Sequence, residues 1–396
     1  MARIGPVKPT RTGPERARAA SFALELATAQ QRERPSTTAK PAGTPAALGQ
    51  AQLERIALAV GRTAASVDRP SVGLYFHSGP PAWSSAIADA IAAVTELPGI
   101  VVPASGVLSD GGELEASPAL SGMVWGGCSA EVGVGDDPSE LGAQLSPKGA
   151  LVVFAAAEGF DSAALAPLAS GRRSCLGAGA PARELYALRA GVAARGRVAA
   201  LRLGQAPIVE HAVACKLVSE PMVITEMSGE LVTRLDGRPA LDVLREKAGG
   251  GKHGGGLVLV ALFENGHDDR YLVRPLRGID TDRRGLAIAA RLREGDVIGV
   301  AVRDGLAARA QLEESVRRVE QAASGAAPSF ALFLSCAGRG RNLYGAADVD
   351  LRILKQRYPA IPIAGMHSAF ELVPWGEGQV RLQLMAGLTA LFTMPS

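Results

Sequence analysis

An order of elements read from hydrophobic periodicity occurs twice along this chain, and that recurrence limits the possible folds more than any single motif. The spacing of Leu53, Ile56, Ala57 and Val60 predicts a helix, and Val72-Gly73-Leu74-Tyr75-Phe76-His77 predicts a strand. After the turn Ser78-Gly79-Pro80-Pro81, a helix is predicted over residues 82–97, with Ile87, Ala90, Ile91 and Val94 on one face. Extended segments follow at residues 122–133 and 150–154. Near the C-terminus the same order of strand, helix, strand, strand returns at residues 330–335, 347–357, 361–365 and 382–392. Local sequence echoes it too. Leu74-Tyr75-Phe76-His77-Ser78-Gly79 parallels residues 332–338, and Gly127-Cys128-Ser129-Ala130-Glu131 parallels Met366-His367-Ser368-Ala369-Phe370-Glu371. The reading is a weak internal duplication: two related halves facing each other, with a site built from the loops of both.

Between the halves, residues 181–194 read as a helix, and Met222-Val223-Ile224-Thr225 with Glu230-Leu231-Val232-Thr233 as a hairpin. Asp236-Gly237 followed by Pro239 starts a helix over residues 240–247. The glycine-rich run at residues 248–256, which contains His253, sets the domain boundary. Short strands at residues 257–263, 271–274, 278–282, 285–290 and 297–302 form a meander. Leu312, Val316, Val319 and Ala323 then stripe one helix. The expected fold is α/β of the α+β type, two related domains of mixed, mostly antiparallel sheet with packed helices. Their limits are residues 50–247 and 248–396. Residues 1–49, rich in Pro, Ala, Thr and Arg, are expected to be a disordered basic tail, in which only the proline-free residues 15–34 could form a helix, carrying Phe22, Leu24 and Leu26.

At 396 residues the chain is long enough for two domains with ample cores. Its net charge of +3 resides in the tail, because the first 40 residues alone carry a balance of +5. The remainder therefore gives no nucleic-acid signal. Cys128, Cys175, Cys215 and Cys336 are far apart and show no CxxC spacing, which reads as free thiols in a reducing cytoplasm. The five histidines lack HxxxH or HxH spacing, so no metal motif and no cofactor is expected. No apolar run approaches the ~20 residues needed to span a bilayer, and the N-terminus lacks a signal-peptide core, so neither membrane insertion nor export is expected. No nucleotide-binding glycine pattern and no GxSxG occurs.

The most suggestive chemistry lies at residues 330–345. A strand, Phe330-Ala331-Leu332-Phe333-Leu334, runs into Ser335-Cys336-Ala337-Gly338-Arg339-Gly340-Arg341, a small-residue loop with two guanidinium groups. Arg339 and Arg341 can fork onto a carboxylate or phosphate. Cys336 beside them reads as an inert thiol, a ligand contact or a nucleophile of lowered pKa, with His77, His211 or His367 brought near by folding. Glu371 and Glu131 occupy matching places in the two halves and either hold an amine or pair with those arginines. Together with Cys128, Ser129 and His367 they complete the candidate ligand-binding set; no catalytic residue is assigned.

These pieces resemble the FIST family, named for F-box and intracellular signal transduction proteins, with both its N-terminal and C-terminal parts. Residues 127–131, 235–240, 271–274 and 292–296 carry the resemblance, and above all Phe333-Leu334-Ser335-Cys336-Ala337-Gly338-Arg339-Gly340. The resemblance covers roughly residues 50–396. It implies a non-enzymatic bacterial sensory module that binds a small ligand, such as an amino acid, and couples to a signalling protein. A protein-interaction scaffold with a vestigial pocket is the alternative, a thiol-dependent enzyme a further one. One departure stands out. Where the family carries Gly-Glu-Ile-Gly-Pro, this chain has Phe370-Glu371-Leu372-Val373-Pro374, and the bulkier residues are expected to narrow the pocket.

Overall fold

The computed structural model describes residues 17–26, 47–115, 117–172, 174–248, 257–264 and 270–393. Among them are three six-stranded sheets built to one plan, together with an eight-stranded one. In the first, the strand order is Ala19–Glu25, Ala119–Gly126, Pro70–His77, Gly99–Pro103, Leu185–Arg189, Val192–Gly196. The second runs Ala130–Gly135, Val198–Leu203, Ala150–Ala156, Ser174–Ala180, Glu371–Pro374, Val380–Gln383. The third runs Ile208–Val213, Ala386–Thr393, Pro328–Cys336, Ile363–Ser368, Gly106–Ser109, Gly112–Leu114. In each, the two middle strands are parallel and every other pairing is antiparallel.

The last two strands of every sheet form a hairpin that comes from a neighbouring repeat. The hairpin after Gly99–Pro103 joins the third sheet, the one after Ser174–Ala180 joins the first, and the one after Ile363–Ser368 joins the second. The exchange is cyclic, so no repeat can be lifted out intact.

Strands buried on both faces need apolar residues at successive positions, and alternate side chains then go to different layers. Leu74, Phe76, Val152, Phe154, Leu332 and Leu334 point inward to one cluster shared by all three sheets. Their neighbours point outward to helices. Tyr75 and Val101 meet Ile56, Val60, Ile87 and Ile91; Leu151 and Val153 meet Leu141 and Leu165; Ala331 and Phe333 meet Leu312, Val316 and Leu354. In each sheet the second parallel strand carries a glycine opposite its partner: Gly99 opposite Gly73, Gly177 opposite Val153 and Gly365 opposite Phe333. A Cβ at Gly177 or Gly365 would lie 1.7 or 1.8 Å from the partner's carbonyl oxygen, so only glycine lets these strands approach so closely.

The remaining sheet closes on itself, since Val297–Arg303 pairs with both Met222–Ser228 and Val258–Phe263. This small barrel shares its core with the helix Ala240–Ala248 through Leu241, Val243 and Leu244, and it is inserted between Ile208–Val213 and the helix Gly305–Ala323. It is tied to the third repeat by an apolar seam that includes Cys215, Val273 and Ala386, and by Gln383, which accepts from the Val273 amide at 2.7 Å.

The α/β class with mostly antiparallel sheets and packed helices matches the sequence reading, and the helix predicted from Leu312, Val316, Val319 and Ala323 spans Gly305–Ala323 with all four buried. Other expectations change. The junction between residues 247 and 248 falls inside the barrel, and each of the other sheets except the first combines strands from both sides of it. Residues 249–256, His253 included, lie outside the described residues. Ala19–Glu25 is neither tail nor helix but a strand paired along its length with Ala119–Gly126. The period-two alternation of Phe22, Leu24 and Leu26 was its signal. The rest of residues 1–49 before Ala47 is outside the described set, apart from residues 17–26.

Residues 181–194 form not a helix but most of a hairpin, Leu185–Arg189 with Val192–Gly196, turning at Ala190 and Gly191 with φ of 46° and 76°. Pairing with Gly99–Pro103 overrides the helix preference of its Ala, Leu and Arg residues. The strand expected at residues 382–392 is broken at Met385, where φ is 55°. The echo of residues 74–79 in 332–338 does fall on equivalent strands. Residues 127–131 and 366–371 are not equivalent: the former enter the edge strand Ala130–Gly135, the latter the exchanged hairpin.

Candidate functional site

Each exchanged hairpin meets the loop that leaves the first parallel strand of the sheet it joins, and at the third sheet this junction encloses a cavity of about 230 Å³. Its walls are Ser105, Glu115, Ala337, Arg341, Asn342 and His367. The hairpin from the first repeat brings Ser105 and Glu115; Pro328–Cys336 and its loop bring Ala337, Arg341 and Asn342; Ile363–Ser368 brings His367. Segments from opposite ends of the chain thus meet here, as the sequence reading of a site between related halves requires, but the first-repeat partners are different residues from those expected.

The loop is shaped by its backbone. The Arg339 amide donates to the Cys336 carbonyl at 2.8 Å, the Ala337 amide to the Ser368 carbonyl at 2.8 Å, and Gly340 at φ 56° starts the short turn Arg341–Tyr344. The Glu115 carboxylate accepts from the Arg341 amide at 3.1 and 3.3 Å. A Cβ on Gly340 would lie 2.7 Å from that carboxylate, which explains the glycine.

The two arginines separate completely. Arg339 is fully buried, and its guanidinium forks onto Asp350 at 2.8 and 2.9 Å, donating also to the Tyr344 hydroxyl at 2.9 Å and the Ala212 carbonyl at 3.3 Å. Burial opposes its charge, but the Asp350 carboxylate outweighs that and holds it protonated. It ties the loop to the edge strand and to the helix Val349–Arg357, so the carboxylate-binding role expected of it belongs to no ligand. Arg341 is exposed at the cavity, and its guanidinium has no hydrogen bond or ion pair among the described residues.

Cys336 is buried. Desolvation and then the nearby Glu371 push its thiol upward, away from the exposed low-pKa thiolate of a nucleophile. Glu371 is also fully buried, at the start of the exchanged hairpin strand Glu371–Pro374, where it accepts from the Ser368 hydroxyl at 2.6 Å and the Ala386 amide at 3.2 Å. Burial raises it above the usual carboxylate range. It does not line the cavity.

Cys128, Ser129 and Glu131 lie on the second sheet's side of the molecule and line no part of the cavity. Glu131 accepts from the amide and hydroxyl of Ser146, both at 2.7 Å, which hold it below its ordinary value, and it faces Arg202. Ser129 accepts from Arg202 at 3.1 Å. Phe370 does not narrow this cavity either: it stacks on Phe160 at 5.3 Å, with its ring against Gly179.

Of the eight expected site residues, the structure places Arg341 and His367 on the cavity wall. His367 is 2 % exposed, and among the described residues neither ring nitrogen has a hydrogen-bond partner. Burial lowers its pKa, opposed by the carboxylates of Glu115 and Asp350 and by the neighbouring Cys336 carbonyl. Behind it stands Glu113, 7 % exposed, whose Oε2 accepts from the Asp348 amide at 2.9 Å while Oε1 has no partner among the described residues. Burial pushes Glu113 up to about 7, against the pull of that amide and with help from Asp350, Glu115 and Asp348. Sequence reasoning missed Ser105, Glu113, Glu115 and Asn342. The available signal was Asp110-Gly111-Gly112, a hairpin turn between apolar runs.

Among the described residues no helix is long and apolar enough to cross a membrane. The family model for the FIST C domain matches residues 240–374, a segment that begins with the helix Ala240–Ala248, runs through the rest of the barrel and ends with the first strand of the last hairpin. An uncharacterized protein of Mycobacterium tuberculosis, Rv0628c, is 32 % identical over 171 residues, 40 % of this chain and 44 % of that protein. Another, Mb0898c of Mycobacterium bovis, is 31 % identical over 179 residues, 42 % of this chain and 45 % of that protein. The chain thus spans less than half the length of these relatives. The matched segment holds Ala337, Arg341, Asn342 and His367, four of the six residues that wall the cavity, and the chain is a FIST-domain protein, its FIST C domain at residues 240–374 belonging to a type associated with signal transduction.

Proposed function

We propose that this chain is a non-enzymatic sensory module that binds a small carboxylate-bearing metabolite, an amino acid or organic acid, in the cavity between the first-repeat hairpin and the Cys336–Arg341 loop. The observation that carries this reading is the Arg341 guanidinium, exposed at the cavity and without a partner among the described residues, where Arg339 close by in sequence is fully paired. Arg341 would fork onto the carboxylate, and the Asn342 and Ser105 side chains would orient the remainder. At about 230 Å³ the cavity is below the ~300–1,000 Å³ usual for drug-sized ligands, which favours a small metabolite. Because its walls come from two repeats, occupancy would hold the hairpin against the loop, and a signalling partner would read that change.

The test is a thermal-shift screen over amino acids and organic acids. A ligand at ~100 times its dissociation constant adds ~2.7 kcal/mol to stability, a clear shift. The expected result is a hit that Arg341→Ala abolishes. No hit, or a hit that Arg341→Ala leaves intact, overturns the reading.

A further inference from the structure

We propose that Glu113, Glu115 and His367 form a binding site for one divalent transition-metal ion, of the zinc or manganese type, at the back of the cavity. One ligand atom from each of the three lies within 4.8 Å of the others, a spread that small side-chain adjustments close around a single ion. Carboxylates alone would not make the case. The second observation is the set of orphaned atoms: among the described residues, Glu113 Oε1 and both ring nitrogens of His367 are enclosed and have no hydrogen-bond partner. Buried polar atoms are nearly always paired, so Glu113 Oε1 and the one ring nitrogen of His367 that lies within reach of both carboxylates call for a missing partner. That partner must be a cation, because the cluster is rich in carboxylates. Glu113, Glu115, Asp348 and Asp350 surround it, and the buried Arg339 guanidinium is already bound to Asp350.

The outer shell is also in place. The Asp348 amide fixes the far oxygen of Glu113, the Arg341 amide fixes Glu115, and the Cys336 carbonyl beside His367 can accept the N–H of whichever ring nitrogen is not on the metal. Gly106 lies opposite His367, and a Cβ there would come within 2.8 Å of the imidazole. The donor set of one imidazole and two carboxylates favours zinc, manganese or iron over calcium and magnesium, which prefer all-oxygen shells. The cavity leaves a coordination position open to water. The three ligands come from segments so far apart that no HxxxH-type spacing could reveal them.

The test is calorimetric titration of the tag-free, chelator-treated full chain with ZnCl₂, MnCl₂ and CaCl₂ in turn. We expect one Zn²⁺ per chain, with Ca²⁺ at least tenfold weaker. Glu115→Gln and His367→Gln should each weaken Zn²⁺ binding about tenfold or more. Glu131→Gln and Cys128→Ser, which lie away from the cavity, should leave it unchanged. Co²⁺ should give a visible absorption band that is absent in Glu115→Gln; Glu115 is half-buried, so that variant decides the question if His367→Gln fails to fold. No saturable Zn²⁺ binding, or binding that Glu115→Gln leaves unweakened, overturns the proposal.

Discussion

The three hairpin junctions share one topology and differ in everything else. At the third sheet the junction is polar, with Glu115, Arg341 and His367 on its walls. At the first sheet, the corresponding loop residues Pro81 and Ala82 and the hairpin residues Arg183 and Tyr186 border a recess of about 790 Å³, in which no charged residue is buried. At the second, Phe160 and Phe370 stack and fill the space. Hairpin exchange therefore creates a place for a site three times over, and the side chains decide which place carries chemistry. The departure at Phe370-Glu371-Leu372-Val373-Pro374 falls on the second junction, so it leaves the polar cavity untouched.

The sharpest way to break this comparison is at the two arginines. Arg339→Met leaves Asp350 buried without its partner and should cost about 3–5 kcal/mol in urea unfolding. A loss below about 1 kcal/mol would mean that Arg339 is not the internal tie described above. Phe370→Ala should cost about 3 kcal/mol and open the second junction, measured by thermal unfolding and by binding of a hydrophobic dye.

The first junction should reveal itself in acid. His77, which ends the first parallel strand there, bonds Ser84 at 2.8 Å, and burial lowers its pKa from 6.5 to about 4. With the folded value depressed, its contribution is present above about pH 6.5 and is lost as pH falls toward 4. The loss should be on the order of 1–3 kcal/mol, and His77→Gln should flatten it. Glu371 acts in the opposite direction. Its raised folded pKa stabilises the fold below its ordinary value of 4.5 and that gain fades as pH rises to the folded value of about 8, so Glu371→Gln should weaken the decline in stability between about pH 4.5 and 8. The smallest effect belongs to Arg341→Ala, within about 0.5 kcal/mol of the parent in stability, with ligand response alone removed.

Much of the architecture was legible from local pattern. The strand pairs at Val72–Phe76 and Phe330–Leu334, the outer helices and the barrel meander follow from apolar periodicity and turn residues. The middle repeat was not, because Ser174–Ala180 reads Ser-Cys-Leu-Gly-Ala-Gly-Ala, and a strand buried on both faces next to close-packed glycine needs no β-branched residue. With that repeat hidden, a threefold plan looked twofold. Of the six residues that wall the candidate cavity, Arg341 and His367 were legible, whereas Cys128, Ser129 and Glu131 were drawn in by an echo that lies out of register.

The sequence by itself determined that this chain alternates buried strands with amphipathic helices, and that a cationic, glycine-containing loop ends one of those strands. Tertiary structure alone decided what that loop at residues 335–341 does. Whether a guanidinium is free or paired depends on Asp350 and Tyr344, which fold back over Arg339, and the acidic neighbours of His367 arrive on a hairpin from the first third of the chain. Local sequence sets backbone preference, but charge pairing is fixed by whichever distant groups folding encloses together.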